Sequence, residues 1–215
     1  DRERAGEIVQ KEEVEAPAPL KLRQLSAEAV AGLGLVGDKV RFVEKATGHI
    51  YEVGPTSSPI RISNTTIPKV QEVYFSKSGG AAVFRYTKGK ENHIENILVR
   101  ISSTNEVTSR LPDSLMTVSA NPNKDAFFYL EEGDGGSVGT FLDLDKNLKG
   151  PKKKVIFTSP ASEWLTAWLT EGNLLLLTKP SSRAPGFAYL LDPKNSALER
   201  ILGDITGLTA LFSPD

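Results

Sequence analysis

The sequence contains no cysteine, and only two histidines and one methionine among its 215 residues. The missing cysteines exclude disulfide bonds, thiolate nucleophiles and cysteine-ligated zinc. They leave the cellular compartment open, since oxidising compartments permit disulfides without requiring them. A formal net charge of -1 gives no general attraction to nucleic acid or to acidic membranes. The longest aliphatic run, Leu174 to Leu177, is far shorter than the roughly 18 residues that indicate a membrane span.

The first 19 residues differ in composition from the rest of the chain. Asp1 to Pro19 is rich in charged side chains and ends in Ala16-Pro17-Ala18-Pro19, which is typical of a solvated, extended linker. Charge pairs at helical spacing favour a short helix over Ile8 to Val14 as the alternative. Because the chain opens on Asp1 without a methionine, we expect that its native start was processed or cropped, together with any export signal or anchor.

From Leu20 onward, short apolar or alternating segments are separated by clusters of glycine, proline, asparagine, aspartate and serine. This pattern predicts an all-β domain with many short strands. Compact segments rich in aromatic or aliphatic residues are strand candidates, namely Val83 to Tyr86, Phe127 to Leu130 and Leu174 to Leu177. In Ala161 to Leu169 two tryptophans are spaced as on a helix face, so a helix is the alternative to a strand there.

The strand segments repeat as a unit. Five turn segments start at positions 35, 75, 120, 169 and 212, so that successive starts are 40, 45, 49 and 43 residues apart. A second series of strand segments precedes the turns, namely Leu22 to Leu25, Ile60 to Ser63, Thr108 to Leu111, Lys154 to Phe157 and Leu198 to Ile201. Four strands in a period of about 40 to 45 residues are typical of one blade of a β-propeller.

The turns also carry a family resemblance. Phe212-Ser213-Pro214-Asp215 resembles the start of the hydrophobic-Ser-Pro-Asp-Gly turn after the first strand of blades in WD40-like, TolB-type β-propellers. Phe75 to Gly79 and Ala120 to Asn123 are looser copies, and Arg61 to Pro68 is similar to segments of bacterial propeller proteins. The Trp-Asp and Gly-His signatures of true WD40 repeats are missing. The resemblance spans residues 20 to 215 and implies a superfamily rather than an activity.

We therefore predict an all-β fold, a β-propeller of four-stranded antiparallel blades. The expected parts are a closing strand at 20-25, blades at about 29-64, 69-111, 115-158 and 163-202, and the first strand of a further blade at 207-215. Because the middle strands of that further blade are missing, we expect a truncated ring, with six to eight blades in the native protein. Its open blade faces are expected to favour association.

Two sequence motifs imitate catalytic or cofactor sites. Gly32 to Gly37 fits G-x-G-x-x-G, with Glu52 placed like the ribose-binding acid, but a strand pattern follows where a dinucleotide site needs a helix. Gly135 to Gly139 fits the G-x-S-x-G nucleophile elbow, which also requires a following helix and a downstream histidine. Both histidines lie upstream, at His49 and His93. We therefore predict a glycine-rich strand and a turn, with no catalytic residue and no cofactor.

No complete metal site is recognisable. Asp143 to Asn147 begins like a calcium loop but lacks the turn glycine and the bidentate glutamate, which are replaced by Leu148 and Lys154. His49 and His93 are 44 residues apart, close to one repeat, so they are expected in similar loops of adjacent blades. As a metal pair they would need a third ligand that the sequence does not identify.

Propeller geometry indicates where partners would bind. Loops between second and third strands, together with the links between blades, gather on one face around the channel, and in related propellers that face commonly recruits partners. The predicted loops are Lys45 to His49, Lys88 to His93, Glu131 to Ser137 and Lys179 to Gly186. We select His49, His93 and Arg183 as candidate partner-binding residues, since Arg183 stands on a cationic loop stiffened by Pro180 and Pro185.

Three functions are consistent with the predicted propeller. The first is a non-catalytic scaffold that presents loops to a protein partner, expected outside the cytoplasm or anchored to a membrane. The second is the accessory propeller of a larger enzyme, such as a prolyl-oligopeptidase-like peptidase, with its hydrolase domain beyond Asp215. The third is a propeller that binds carbohydrate or another small ligand, for which Trp164, Trp168 and Tyr189 would supply stacking surfaces unless they are part of the core.

Overall fold

The structure, a computed structural model, describes residues 22-89, 93-101, 107-144, 150-161, 163-169 and 172-210. These residues form sixteen strands in four antiparallel sheets, each built from four consecutive strands. The predicted all-β class and the four four-stranded blades are thus confirmed. In the described ranges no helix is long and apolar enough to cross a membrane.

Each sheet is one blade, and its strands are hydrogen-bonded in chain order. Blade 1 contains β1 (Val30–Val36), β2 (Lys39–Glu44), β3 (Ile50–Val53) and β4 (Ile60–Arg61). Blade 2 contains β5 (Val70–Phe75), β6 (Ala81–Lys88), β7 (His93–Arg100) and β8 (Val107–Arg110). Blade 3 contains β9 (Leu115–Ala120), β10 (Ala126–Gly133), β11 (Gly136–Asp143) and β12 (Lys152–Ser159). Blade 4 contains β13 (Trp164–Trp168), β14 (Leu174–Thr178), β15 (Pro185–Leu191) and β16 (Leu198–Thr206).

The blades touch one another through their first strands. Strand β1 contacts β5, β5 contacts β9, and β9 contacts β13. The first strand of each blade is therefore the inner strand of the arc, and the fourth is the outer strand. The helical alternative for Ala161 to Leu169 is wrong, since Trp164–Trp168 is the inner strand β13.

The hydrophobic core consists of layers between neighbouring blades. Strands β6 and β10 are buried on both faces, because each lies between two such layers. Strand β14 packs against blade 3 on one face and in the cluster with Leu208 on the other, whereas β2 is only partly buried. In β10, Phe127 packs in the layer between blades 2 and 3, whereas Phe128 packs in the layer between blades 3 and 4. Both side chains are fully buried, at 0% exposure. Burial on both faces explains why β6, β10 and β14 have continuous apolar runs rather than an alternation of apolar and polar residues.

Glycines allow blade 1 to approach blade 2 closely. A Cβ atom on Gly32 would collide with the carbonyl oxygen of Val73, and one on Gly34 would lie 2.8 Å from the Cβ of Phe75. The segment that imitates a dinucleotide motif is thus a strand followed by the turn at Gly37 and by another strand. Its glycines at positions 32 and 34 serve packing between two inner strands.

Polar contacts also join successive blades. The backbone amide and the hydroxyl of Ser78 donate to the two carboxylate oxygens of Asp125, at 2.7 and 2.6 Å. Between blades 3 and 4, the Ser119 hydroxyl lies 2.7 Å from the Thr166 hydroxyl, and the Trp168 indole donates to the Ser119 carbonyl at 3.0 Å. These contacts fix the turns and inner strands of one blade against those of the next.

The predicted segments at the two ends of the arc are only partly described. Residues 22-25 form no strand among the described residues. The Arg23 guanidinium there donates to the carbonyls of Gly54 and Ser57, both at 2.9 Å. At the other end, Leu208 packs on blade 4, and residues 211-215 lie outside the described ranges. The closing strand, the strand at 207-215 and the linker at 1-19 therefore stay predictions.

Candidate functional site

The links between blades and the loops between second and third strands lie at one end of the blades. The Ile67 amide, in the link from blade 1 to blade 2, donates to the Thr47 carbonyl in the loop between β2 and β3 at 2.9 Å. In blade 4, the Gly207 amide donates to the Ser181 carbonyl in the loop between β14 and β15 at 2.8 Å. We call this end of the blades the end face.

The two histidines occupy matching places on the end face. His49 directly precedes β3, and His93 is the first residue of β7. The His49 Nε2 atom lies 3.1 Å from the Thr66 hydroxyl, whereas the His93 Nε2 atom lies 3.9 Å from a carboxylate oxygen of Asp113. Each histidine thus has its own partner. Within the described ranges, no three His, Cys, Asp or Glu side chains are grouped to hold a metal ion.

Arg183 lies in the loop between β14 and β15 and is exposed. The Ser181 hydroxyl oxygen accepts hydrogen bonds from the amides of Arg183 and Ala184, at 3.1 and 3.2 Å. The loop backbone is therefore ordered by a local serine turn as well as by its prolines. A role in partner binding for Arg183, as for the two histidines, stays a prediction.

Ser137, the serine of the nucleophile-like motif, has a structural role. It lies in β11 with 1% of its surface exposed, and its hydroxyl donates to the Ala161 carbonyl at 2.8 Å. A nucleophile elbow instead exposes its serine at a strand-to-helix turn. Residues 145-149 lie outside the described ranges, so the calcium-like segment is described only at Asp143 and Leu144. The Asp143 carboxylate lies 3.4 Å from the Lys124 ammonium, and Leu144 is buried.

Replacing Ser137 with alanine is expected to lower the free energy of unfolding by about 1 kcal/mol, the usual contribution of one hydrogen bond. It should leave unchanged whatever ester hydrolysis the purified chain shows. Urea unfolding and hydrolysis of a chromogenic ester measure both effects, with the exposed Ser182 replaced by alanine as the control. Ester hydrolysis lost only in the Ser137 variant would contradict the structural role.

The aromatic side chains considered for ligand stacking are half-buried and pack against the core. The Trp164 ring meets the rings of Phe157 and Tyr189 at centroid distances of 5.4 and 5.9 Å. The Trp168 ring meets that of Phe141 at 6.1 Å. All these contacts belong to the layer between blades 3 and 4. These contacts occupy part of each ring, and a role of the three aromatics in carbohydrate binding stays a prediction.

A feature that the sequence analysis missed lies where the inner strands start at the end face. The second residue of β1, β5 and β9 is skipped in the pairing with the neighbouring strand, so each forms a β-bulge. These residues are Ala31, Gln71 and Met116. Bulges redirect side chains and are frequent beside functional sites. Since the three residues share no chemistry, no sequence signal indicated the bulges.

A groove opens beside the first two of these bulges, between blades 1 and 2. Its volume is about 500 Å³, and its lining consists of Glu28, Ala29, Lys45, Ala46, Lys69, Gln71 and Thr87. We call it the end-face groove. Three backbone hydrogen bonds hold its walls together, from the Lys45 amide to Ala29 (2.8 Å), from the Val70 amide to Lys45 (3.0 Å) and from the Thr87 amide to Lys69 (3.1 Å).

Like the exposed Arg183, the lysines of the groove differ from three other described cations of the end face, which are ion-paired. Lys88, Arg110 and Lys179 form ion pairs with neighbouring carboxylates at 3.0 to 3.1 Å. Lys45 and Lys69 are exposed, and neither forms an ion pair with any residue in the described part of the chain. The end-face groove therefore offers two ammonium groups that remain available to a ligand.

Tyr86 and Glu95 form a polar pair beside the groove. The Tyr86 hydroxyl donates to the Glu95 carboxylate at 2.6 Å. Burial of the Tyr86 ring, followed by this hydrogen bond and the nearby negative charge, raises the pKa of Tyr86 to about 12. The same hydrogen bond, with help from Lys88, lowers the pKa of Glu95. The pair is held with tyrosine neutral and glutamate charged.

Between pH 10 and about pH 12 the chain is expected to lose stability through Tyr86. Its pKa is 10.0 when unperturbed and about 12 in the fold, so the unfolded chain releases this proton first and unfolding becomes easier as the pH rises. Burial also raises the pKa values of Tyr51, Tyr74 and Tyr129. The tyrosinate absorbance that appears near pH 12 should therefore fall by one tyrosine after Tyr86→Phe. After Glu95→Gln the contribution of Tyr86 should move to lower pH. A Tyr86 that titrates near pH 10 would contradict the geometry of this pair.

No protein-family model and no curated protein matches the sequence. Similar structures are known. A putative TolB from Agrobacterium tumefaciens aligns over 82% of this chain and 63% of its own, with a TM-score of 0.55 and 12% identity. A prolyl endopeptidase aligns over 84% of this chain and 30% of its own, with a TM-score of 0.60 and 11% identity.

A further similar structure is that of a nidogen/laminin complex, which aligns over 84% of this chain and 67% of the matched chain, with a TM-score of 0.53 and 11% identity. The chain thus spans less than two thirds of the length of the TolB and endopeptidase chains. At these identities the likeness concerns the fold. Together with the four antiparallel sheets joined through their inner strands, it shows that the chain has a TolB-type, WD40-like β-propeller fold.

Proposed function

We propose that this chain is a non-catalytic propeller scaffold and that its end face binds a protein partner. The end-face groove is the observation that carries the proposal, because its two exposed lysines lack ion pairs within the described ranges and stand on a hydrogen-bonded frame. A preformed frame favours binding, since little backbone has to be ordered when the partner arrives.

The similar structures are compatible with this role but include other functions. One is a chain from a nidogen/laminin complex, and another is a prolyl endopeptidase. Because the chain spans only 30% of the endopeptidase, an accessory propeller of a larger enzyme is the second candidate. Reading the native gene distinguishes the two, since the enzyme requires a hydrolase domain whose nucleophile lies outside these blades.

Site-specific photo-crosslinking tests the scaffold function. A photoreactive amino acid replaces Ala46 in the end-face groove or, as the matched control, Lys77 in the turn at the opposite end of blade 2. Both positions are exposed. In an extract of the native cell, we expect one reproducible protein adduct from position 46, which excess unlabelled chain suppresses, and none from position 77. Equal labelling from both positions, or no adduct, would contradict the proposal.

A further inference from the structure

We infer that the end-face groove recognises an extended acidic segment of the partner, with a carboxylate side chain between Lys45 and Lys69 and a backbone N–H group bound by Gln71. This inference rests on the proposed scaffold function and specifies the chemistry of its ligand. Such a ligand requires two features of the groove: positive charge that binds its carboxylate, and an acceptor atom for its backbone N–H group.

The site for negative charge is formed by Lys45 and Lys69. They lie on two segments that are hydrogen-bonded to each other, since the Lys69 amide donates to the Ala46 carbonyl at 3.4 Å and the Val70 amide donates to the Lys45 carbonyl at 3.0 Å. Glu28 is the one carboxylate among the lining residues in the described part of the chain. The lining therefore carries a net positive charge, which attracts an acidic ligand.

Lys69 has an unusual backbone conformation for a non-glycine residue, with a φ angle of 59°. This left-handed conformation is unfavourable outside glycine, and such residues cluster at functional sites. It orders the start of β5, where the Lys69 carbonyl accepts hydrogen bonds from the Thr87 amide and from the Gln71 side chain, both at 3.1 Å. A lysine thus occupies a position where glycine would be easier to accommodate.

The Gln71 side chain supplies the acceptor. Its Nε2 group donates to the Lys69 carbonyl and to the Thr87 hydroxyl, both at 3.1 Å. These two bonds use both of its N–H donors and fix the orientation of the amide. The Oε1 atom is then left to accept a hydrogen bond from a ligand. Because Gln71 is a bulge residue, its own backbone is also released from regular pairing with β6.

This combination favours a peptide over a phosphate group. Phosphodiesters present only acceptors and negative charge, and inorganic phosphate at neutral pH keeps only one or two O–H donors on a charged group. Both meet the lysines well, but their negative charge opposes the Glu28 carboxylate and their acceptor oxygens oppose the Gln71 oxygen. An acidic peptide presents carboxylates and backbone N–H groups side by side. The groove volume of about 500 Å³ lies within the roughly 300 to 1,000 Å³ that ligand pockets commonly have.

Fluorescence anisotropy with a labelled flexible peptide containing Glu-Asp-Glu tests the inference on the full chain. We expect binding to the chain at low salt that weakens steeply as the salt concentration rises, because exposed charges are screened. The matched Gln-Asn-Gln peptide should bind at least about fivefold more weakly, since it lacks the charges that the lysines attract. Equal binding of both peptides, or no binding of the acidic peptide, would overturn the inference.

Three substitutions locate the binding site. Lys45→Glu and Lys69→Gly should each weaken binding of the acidic peptide at least about fivefold, and glycine at position 69 relieves the left-handed backbone, so this variant should fold at least as well. Gln71→Met removes the acceptor and should weaken both peptides. Lys77→Glu, at the opposite end of blade 2, is the control and should leave binding unchanged. If Lys77→Glu weakened peptide binding as much as the groove substitutions do, the assignment of the binding site to the groove would be overturned.

Two further outcomes separate this inference from the proposed function. Unlabelled acidic peptide serves as the reference competitor of the labelled peptide. If inorganic phosphate or a short DNA strand displaces the labelled peptide at the same concentration as this reference, the inferred selectivity for peptide is overturned. A protein adduct from position 46 together with failure of the acidic peptide would overturn the inferred ligand while supporting the scaffold. Absence of any adduct would contradict the scaffold itself.

Discussion

Replacing Gly32 with valine is expected to lower the free energy of unfolding by about 3 kcal/mol, at the upper end of the usual cost of overpacking. The Cβ atom of the added side chain would overlap the Val73 carbonyl oxygen. It would also lie 3.0 Å from the Cβ atom of Val73. Rotation of the new side chain cannot relieve a collision that begins at Cβ. Blade 1 would therefore have to move away from blade 2, exposing the apolar layer between them.

Leu33 provides the control for this variant because it is adjacent in sequence but 66% exposed. Replacing Leu33 with valine should change stability by less than about 0.5 kcal/mol. Urea unfolding followed by circular dichroism measures both variants, and hydrogen exchange should show faster exchange in β1 and β2 of the Gly32 variant. Equal stability of the two variants would mean that β1 does not pack on β5 as described.

Replacing Phe128 with alanine is expected to cost about 3 to 5 kcal/mol, the usual range for removing a buried phenylalanine side chain. Phe128 is fully buried in the layer between blades 3 and 4. A Cβ on Gly139 would lie 2.6 Å from the Cζ atom of its ring, so the ring fills the space that this glycine leaves open. Alanine would leave a cavity that the hydrogen-bonded strands on either side can close only in part.

The Ile60→Ala variant is the matched control, since Ile60 is 65% exposed on an outer strand. It should cost less than about 0.5 kcal/mol. Tryptophan fluorescence reports the unfolding of the relevant layer, because Trp164 and Trp168 pack in it with Phe128. A loss below about 1 kcal/mol in the Phe128 variant would contradict its place at the centre of that layer.

The strand framework could be predicted from sequence because its signals are local and repeated. The apolar runs of β6, β10 and β14 are long enough to identify strands buried on both faces. The turns at 35, 75, 120 and 169 separate first from second strands, as the spacing predicted. The nucleophile interpretation of Gly135 to Gly139 could also be rejected, since a strand and not a helix continues from it. The turn predicted for this segment is wrong beyond Gly135, because β11 already begins at Gly136.

The candidate site could be predicted only as a region. His49, His93 and Arg183 were selected from loop position and charge, which do not determine which side chains line a cavity. The groove depends on bulges in the inner strands and on the left-handed backbone at Lys69. These features come from pairing between strands and packing between blades, so no short segment encodes them. The places of Lys69 and Gln71 in the groove could therefore be recognised only from the structure.

Hydrogen exchange of the full chain with and without the partner captured at position 46 tests the central proposal most directly. We expect the bound partner to slow amide exchange at residues 45-49 and 69-71, which form and flank the end-face groove. The turns at 76-80 and 121-125, at the opposite end of the blades, should exchange unchanged. Protection confined to those turns, with the groove unaffected, would contradict the end face as the binding surface.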